Sequence, residues 1–251
     1  MPKRILVANW KNHPESSARA AIILDGLQKK SQIFKKISTY IAPPSTYFES
    51  ASKKIKGFAN LASQDMFFAT DGTFTGAITP DISKSFGVKL AILGHSERRA
   101  LGETNEVVSD KMKTTLRSGF IPLLCVGETE RDQEGNHFEF IREELELSLN
   151  GVRRKDDARK LVIAYEPVWA IGKKAKEAMQ PEELSEMVIF IRKVLTDIFG
   201  RDSAEEIPIL YGGSVDATNA KELMRAGVDG LLVGRASLDP KIFASIAEAY
   251  L

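Results

Sequence analysis

A glutamate that directly follows an apolar run is the residue of this chain with the clearest chemical potential. Residues 161–165 read as a buried strand, and Glu166 comes next, followed by Pro167. Because proline can neither donate to a sheet nor continue a helix, it restricts the backbone after the carboxylate. A carboxylate held at a strand end can act as a general base, and the same position also suits a structural salt bridge. Other polar groups at strand ends bear on this choice.

An amide, an ammonium and an imidazole follow two other apolar runs. Asn9 and Lys11 stand at alternate positions after the first run, which places both on one side of a strand and predicts an anion-recognition pair. His95 lies between a strand end and a helix start, where backbone N–H groups disfavour a further positive charge. We expect His95 to stay neutral and to donate a hydrogen bond to a carbonyl group. Each of these groups taken alone would also fit a structural role.

Glycine-rich segments follow the last two apolar runs. Gly212, Gly213 and Ser214 follow the seventh run, and Gly234 follows the eighth. Glycine lets the backbone approach a ligand closely, and exposed N–H groups in such turns bind anions. One glycine pair could equally serve a turn, whereas two segments on adjacent strands predict a phosphate site.

Short apolar runs alternate along the chain with longer amphipathic segments that carry helix signals. Several runs are apolar throughout, as strands buried on both faces are, and alternating βα units imply a parallel sheet. Eight such units in 251 residues predict one α/β domain, residues 1–251, folded as a closed (β/α)8 barrel with eight parallel strands and outer helices. The runs are 4–9, 38–42, 59–63, 89–93, 121–126, 161–165, 207–211 and 230–233.

A barrel of this kind gives each strand end a location. The loops after the carboxyl ends of the strands form the active face, with phosphate usually bound after strands 7 and 8. We therefore expect the polar groups named above to converge at one mouth although they are far apart in sequence. No Gly-x-Gly-x-x-Gly segment follows the first run, which argues against a dinucleotide-binding open sheet.

Composition restricts the classes of function. With 35 Lys and Arg against 34 Asp and Glu, the net charge is +1, so no nucleic-acid partner is expected. Cys125 is the only cysteine, which excludes an intrachain disulfide and fits a reducing compartment. No apolar stretch approaches the roughly 20 residues that span a bilayer, and run 5–8 is too short for a signal peptide core. We expect a cytoplasmic protein without a membrane partner.

The motifs, in order and across nearly the whole chain, resemble the triosephosphate isomerase family. They are NWK at 9–11, GHSERR at 94–99, CVGE at 125–128, AYEPVWAIG at 164–172, YGGSV at 211–215 and LLVG at 231–234. The resemblance implies a TIM barrel that interconverts dihydroxyacetone phosphate and D-glyceraldehyde 3-phosphate through an enediolate, in glycolysis and gluconeogenesis. It implies a small phosphorylated triose as substrate, no cofactor and no metal.

The resemblance also implies roles for the polar residues. Glu166 would take the proton from the carbon next to the carbonyl, and neutral His95 would polarise the carbonyl and move protons between the two oxygens. Lys11 would stabilise negative charge, and Asn9 would donate to a substrate oxygen. Two supporting residues follow the histidine, Ser96 and Glu97, and Glu97 could pair with Lys11 or an arginine.

The resemblance implies that further positions of the same motifs bind the phosphate and close over the base. Ile171 and Leu232 would clamp over Glu166 and raise its basicity by desolvation. Backbone N–H groups would hold the phosphate, and they lie near Gly172, Ser214, Gly234 and Arg235.

Two departures from the family pattern concern phosphate binding. Residues 173–181 read KKAKEAMQP, two residues longer than usual and without glycine, so we expect this lid to be partly helical. Arg235 replaces a usual glycine after Gly234. If the backbone of Arg235 keeps a negative φ, its N–H can still serve the phosphate.

The family resemblance also implies a homodimer, formed through the loop 64–79. Thr75 would reach the Asn9 and Lys11 region of the partner, in trans. Ala77 occupies a position where a glutamate commonly pairs with the partner's arginine, here Arg98. Because an exposed ion pair is worth roughly 0–1 kcal/mol, we expect a dimer, though a weaker one than usual.

Two other functions fit part of the pattern. Another phosphate-binding barrel, such as an isomerase of a phosphoribosyl substrate, would share the glycine segments but would not need the four polar groups together. A catalytically silent barrel would be expected to lack at least one of them, and all are present: Asn9, Lys11, His95 and Glu166.

Overall fold

The fold is a closed barrel of parallel strands. The computed structural model describes residues 4–70, 72–132, 134–152, 155–170 and 179–251. The eight strands pair in chain order, and β1 closes the barrel by pairing with both β2 and β8. The strands are β1 Ile5–Asn9, β2 Ser38–Ala42, β3 Asn60–Ser63, β4 Val88–Leu93, β5 Ile121–Val126, β6 Val162–Tyr165, β7 Ile209–Tyr211 and β8 Gly230–Val233. The predicted (β/α)8 barrel is confirmed.

The observed strands coincide with the apolar runs except at some amino-terminal ends. The largest difference is in β7, which begins at Ile209 and not at the predicted residue 207. Pro208 has no N–H to give to the neighbouring strand, and only its carbonyl is used, by the N–H of Ile163. The carboxyl ends, which carry the candidate site, are as predicted in every strand.

Helices surround the barrel and connect its strands. Ser16 caps the amino terminus of the helix Ser17–Lys29, and Thr104 caps that of Asn105–Arg117. The helix Pro181–Phe199 begins with a capping box of Gln180 and Glu183. The helices are α1 Ser17–Lys29, α2 Ser31–Phe34, α3 Phe48–Ile55, α4 Pro80–Ser85, α5 Ser96–Arg99, α6 Asn105–Arg117, α7 Asn136–Ser148, α8 Lys155–Ala158, α9 Pro181–Phe199, α10 Arg201–Glu206, α11 Ala220–Arg225 and α12 Pro240–Glu248. In the described ranges, no helix has the length and apolar character needed to cross a membrane.

Strand side chains divide between two apolar layers. Ile5 and Val7 of β1 belong to a cluster built only from strand residues, which fills the barrel. Leu6 and Ala8 belong to a larger cluster that also contains helix residues and lies outside the strands. This alternation follows from the two-residue period of a strand. Because both faces of each strand are packed, the strands are held in place. The polar groups at their ends are therefore held in fixed positions as well.

Cys125 lies in the inner layer. Its side chain is buried, and burial raises the pKa of the thiol well above its usual value. The thiol is therefore a packing group.

Candidate active site

The carboxyl ends of the strands enclose one cavity of about 580 Å³. Its wall includes groups that come from the ends of five different strands. They are Asn9 and Lys11 after β1, His95 and Ser96 after β4, Glu166 after β6, Gly212, Gly213 and Ser214 after β7, and Gly234 and Arg235 after β8.

His95 and Glu166 form a buried pair at the base of this cavity. Only 6% of His95 and 2% of Glu166 is exposed to solvent. The Nε2 atom of His95 lies 3.1 Å from Oε1 of Glu166, and the other carboxylate oxygen accepts a hydrogen bond from the N–H of Ser96 at 3.2 Å. The base candidate is therefore engaged by protein groups at both oxygens in this arrangement.

The second ring nitrogen of His95 faces a helix start. Nδ1 accepts a hydrogen bond from the N–H of Glu97 at 3.2 Å, which makes His95 the N-cap of α5. An acceptor nitrogen carries no proton, so the ring proton of the neutral form lies on Nε2, toward Glu166. This contact supplies the helix N–H group on which the expectation of a neutral imidazole depended.

The pKa values of the pair move in directions that the sequence did not predict. Burial lowers the pKa of His95, but the charge and hydrogen bond of Glu166 outweigh burial, and the pKa lies above its ordinary value. Burial raises the pKa of Glu166, but His95, the N–H of Ser96 and the charge of Lys11 bring it below its ordinary value. These directions belong to the pair in contact. The expectations that Glu166 becomes more basic beneath Ile171 and Leu232, and that His95 acts as a neutral ring, stay predictions.

Lys11 reaches the cavity from a turn and not from the strand itself. β1 ends at Asn9, and Lys11 has φ of 53°, the one positive φ among the described residues other than glycine. Its N–H donates to Oδ1 of Asn9 at 3.0 Å, and its Nζ donates to Glu97 at 2.7 Å. Strand alternation, the predicted reason for their shared side, is therefore incorrect. A left-handed turn at Lys11 brings the side chains of Asn9 and Lys11 together. Glu97 pairs with Lys11, one of the partners that the sequence analysis gave for it.

The glycine segments after β7 and β8 form an adjoining wall of the cavity and present backbone to it. Ser214 donates its hydroxyl to the carbonyl of Ala170 at 2.9 Å, and its own carbonyl accepts from the side chain of Asn219 at 2.9 Å. Arg235 begins a short 3-10 turn, Arg235–Leu238, and does not have a positive φ. The backbone condition set for Arg235 is therefore met, and its side chain is exposed.

Space around the base is limited. A β-carbon added to Gly212 would lie 2.8 Å from Cγ of Glu166 and 3.4 Å from Cδ2 of Leu232. Leu232 is buried in the inner layer and lines the cavity beside the carboxylate. Ile171, Gly172 and lid residues 173–178 lie outside the described residues, so the predicted clamp by Ile171, the phosphate contact of Gly172 and the helical lid stay predictions.

Glu128 is a polar group that the sequence analysis quoted only as part of a motif. It is 1% exposed, and its Oε1 accepts from the hydroxyl of Tyr165 at 2.8 Å, from Nε1 of Trp169 at 2.7 Å and from Nε of Arg131 at 3.0 Å. Its carbonyl accepts the N–H of Val168. These contacts fix the backbone on both sides of Glu166. The available signal in the sequence was a glutamate two residues after the end of β5.

The loop 64–79 lies beside the cavity. Thr75 is exposed and lines a second groove together with Asn9, Lys11 and Arg98 of the same chain. Arg98 already pairs within its own chain, with Asp65 at 2.8 Å and Glu103 at 3.1 Å. The absence of a glutamate at Ala77 therefore does not leave this arginine without an acceptor.

Across the described ranges, His, Cys, Asp and Glu side chains nowhere form a group of three or more that could hold a metal ion.

Comparison with known proteins connects this geometry to a family. The family model for triosephosphate isomerase matches residues 4–250. The chain is 38% identical to the triosephosphate isomerase of Flavobacterium johnsoniae, over 99% of this chain and 100% of that protein. It is 36% identical to the enzymes of the same name from Dictyoglomus thermophilum and Thermoanaerobacter sp., again over 99% of this chain and 100% of each relative. With its barrel, its strand-end residues and its full-length match, the chain belongs to the triosephosphate isomerase family.

Proposed function

We propose that the protein interconverts dihydroxyacetone phosphate and D-glyceraldehyde 3-phosphate, a step of glycolysis and gluconeogenesis. The observation that carries the proposal is the single cavity in which Glu166 and His95 face Lys11, with the glycine segments on the other wall. The reaction moves one proton between neighbouring carbons and needs a base, a carbonyl polariser and an anion site. Each of these has a candidate in the cavity.

Glu166 is the base that removes the proton from the carbon next to the carbonyl. To reach a substrate it must leave His95 and the N–H of Ser96, which now occupy its oxygens. Separation removes the lowering effects of His95 and of the Ser96 N–H on its pKa, while burial still raises it, so the carboxylate becomes more basic as it engages the substrate. While Glu166 contacts His95, before substrate binds, it is therefore a weaker base.

The same separation favours the neutral form of His95. Without the adjacent carboxylate, burial and the charge of Lys11 lower the pKa of the ring, and the N–H of Glu97 remains on Nδ1. The neutral ring then has its Nε2 proton free to donate to the carbonyl oxygen and to carry protons between the two oxygens of the enediolate. Lys11 and Asn9 add a positive charge and a hydrogen-bond donor where negative charge develops.

The phosphate is held by backbone N–H groups near Gly172, Ser214, Gly234 and Arg235, away from the reacting carbons. Binding energy from such a remote group can be used to order the site for the transition state. Exclusion of water by Leu232 and Ile171 protects an enediolate that would otherwise lose phosphate.

We further propose that residues 1–251 form a single catalytic domain, active as a cytoplasmic homodimer. Support for the dimer comes from the family and from exposed apolar side chains in or near the loop 64–79. They are Phe68, Phe74 and Leu101, the last of which is 87% exposed. Thr75 acts in trans on the Asn9 and Lys11 region of the partner. Sedimentation that detects only monomer at micromolar concentration would contradict this proposal.

The first test is isomerisation of D-glyceraldehyde 3-phosphate by the wild type and by Glu166→Asp. We expect turnover in the wild type and a fall of about 100-fold or more in the variant, because a shorter arm misplaces the carboxylate. Glu186→Asp, on the exposed face of α9, is the matched control and should keep wild-type activity. A folded, dimeric wild type without turnover would favour the silent-barrel alternative.

A further inference from the structure

Glu144 is a buried carboxylate on α7 that the proposed chemistry does not use. Only 5% of the residue is exposed, and burial of a carboxylate costs free energy unless it is paired and hydrogen-bonded. Its Oε2 accepts a hydrogen bond from the N–H of Gly127 at 2.8 Å, and its Oε1 lies 3.2 Å from Nε of Arg99. The two contacts lead to different parts of the candidate site.

The contact with Gly127 leads to Glu166. Gly127 follows β5, and a β-carbon added there would lie 1.8 Å from the carbonyl oxygen of Glu166, so the two backbones are in close contact. The N–H of Glu166 donates to the carbonyl of Val126 at 2.8 Å. The strand end that carries the base therefore packs against residues 126–127. Glu144 fixes the peptide group that joins these two residues, because it accepts the N–H of Gly127.

The contact with Arg99 leads to His95. Nε of Arg99 donates at 2.8 Å to the carbonyl of Gly94, the residue directly before His95. Gly94 has φ of 65°, which glycine adopts without strain. The guanidinium also donates to Asn105 at 2.6 Å and to Ser148 at 3.2 Å. Oε1 of Glu144 is the carboxyl oxygen beside this partly buried guanidinium, whose bond to Gly94 fixes the turn carrying the imidazole.

We infer that Glu144 is a positioning residue for the isomerase reaction, which holds the backbone supports of His95 and Glu166 at a fixed separation. The inference rests on the proposed function, because only that function requires both groups in register. The physical basis is that the reaction rate falls steeply when the backbone that carries a catalytic side chain moves by a fraction of an ångström. Glu144 touches neither the cavity nor a substrate, so its effect is exerted through Gly127 and Arg99.

Kinetics of Glu144→Ala test the inference. The variant loses both contacts, so we expect kcat to fall about 10- to 100-fold. KM should change less than about threefold, because the glycine segments that bind phosphate are untouched. Glu144→Gln keeps the side-chain length but only one acceptor oxygen, which can serve Gly127 or Arg99 but not both, so its kcat should lie between those of Glu144→Ala and the wild type. Glu143→Ala, the exposed neighbour on the same helix, is the matched control and should retain both constants.

Circular dichroism and sedimentation establish that each variant is folded and assembled like the wild type. If Glu144→Ala does not fold, Glu144→Asp replaces it, because the shorter carboxylate keeps the charge and misplaces both contacts; the same selective fall in kcat is expected. A folded alanine or aspartate variant with wild-type kcat would overturn the inference. So would a Glu144→Gln variant whose kcat is no higher than that of the folded alanine or aspartate variant. An inactive wild type, observed before any variant is compared, contradicts the proposed function instead.

Discussion

The two walls of the cavity are built in different ways. On one wall, His95 and Glu166 are side chains buried to 6% and 2% exposure and hydrogen-bonded to each other and to backbone N–H groups. On the other, Ser214, Gly234 and Arg235 contribute backbone, and the side chain of Arg235 lies in solvent.

The difference reflects the chemistry proposed for each wall. A group that transfers protons must have a controlled pKa, which requires burial and defined neighbours. A phosphate carries its charge throughout the reaction and needs only fixed N–H donors, which the backbone supplies without a titrating group. Substitutions on the first wall should therefore change kcat, and those on the second should change KM or nothing.

The largest expected effect is on the proton-transfer wall. His95→Gln keeps a polar side chain but cannot shuttle a proton, so we expect kcat to fall roughly 100- to 1,000-fold with KM within a few-fold of wild type. Steady-state kinetics in both directions would measure it. His137→Gln, at the start of α7 and away from the cavity, is the control. A change confined to KM would place His95 in binding and remove the contrast between the walls.

Gly212→Ala tests whether the walls are independent. The added methyl group would lie 2.8 Å from Cγ of Glu166, so the buried base must shift. We expect kcat to fall about 10- to 100-fold even though the residue belongs to a glycine segment. Kinetic constants for D-glyceraldehyde 3-phosphate provide the measurement. Wild-type kcat with a raised KM would mean that this glycine serves phosphate alone.

Stability should report the pairing of His95 and Glu166. The pKa of Glu166 is lowered on folding, so its stabilisation is present above its unfolded pKa and lost as pH falls through the folded value. The pKa of His95 is raised, so its stabilisation is present below its unfolded pKa and lost as pH rises through the folded value. Both contributions are complete together only between about pH 4.5 and 6.5.

Urea unfolding of the wild type and of Glu166→Gln, at one protein concentration, would measure this window. We expect the free energy of unfolding of the wild type, relative to that of Glu166→Gln, to be largest in this window and smaller at higher and lower pH. A difference between the two proteins that does not vary with pH would contradict the opposite pKa shifts of His95 and Glu166.

The smallest expected effect is on the phosphate wall. Arg235→Ala should change KM by less than about threefold, because the backbone of Arg235 has a negative φ and the side chain is exposed. Arg201→Ala, an exposed arginine on α10, corrects for the loss of one positive charge. A tenfold or larger rise in KM relative to that control would assign the guanidinium itself to the phosphate.

Local sequence was sufficient for the strands and for the individual site residues. The runs ending at Asn9, Val126 and Tyr165 are almost entirely apolar, and a polar residue, a glycine or a turn ends each of them. This pattern is typical of strands that are buried on both faces. The rule that strand ends form the active face then pointed to His95 and Glu166. The position of Glu144 could also have been inferred, because it shares a helix face with Ile141, at i+3.

Contacts and their energetic consequences depended on closure of the barrel. His95 and Glu166 are 71 positions apart in the chain, and no local pattern states that they touch or that their contact raises the pKa of one and lowers the pKa of the other. The left-handed turn at Lys11 likewise replaces the strand alternation assumed for it.

The sequence by itself determined the barrel, the order of its elements and which polar residues stand at strand ends, because two- and 3.6-residue periods and turn residues are local properties. Only the tertiary structure decided which of those residues meet, that Lys11 pairs with Glu97, and that Glu144 connects the supports of His95 and Glu166. The physical reason is that pKa values and hydrogen bonds depend on separations of a few ångströms between residues far apart in the chain, and closure of the barrel sets those separations.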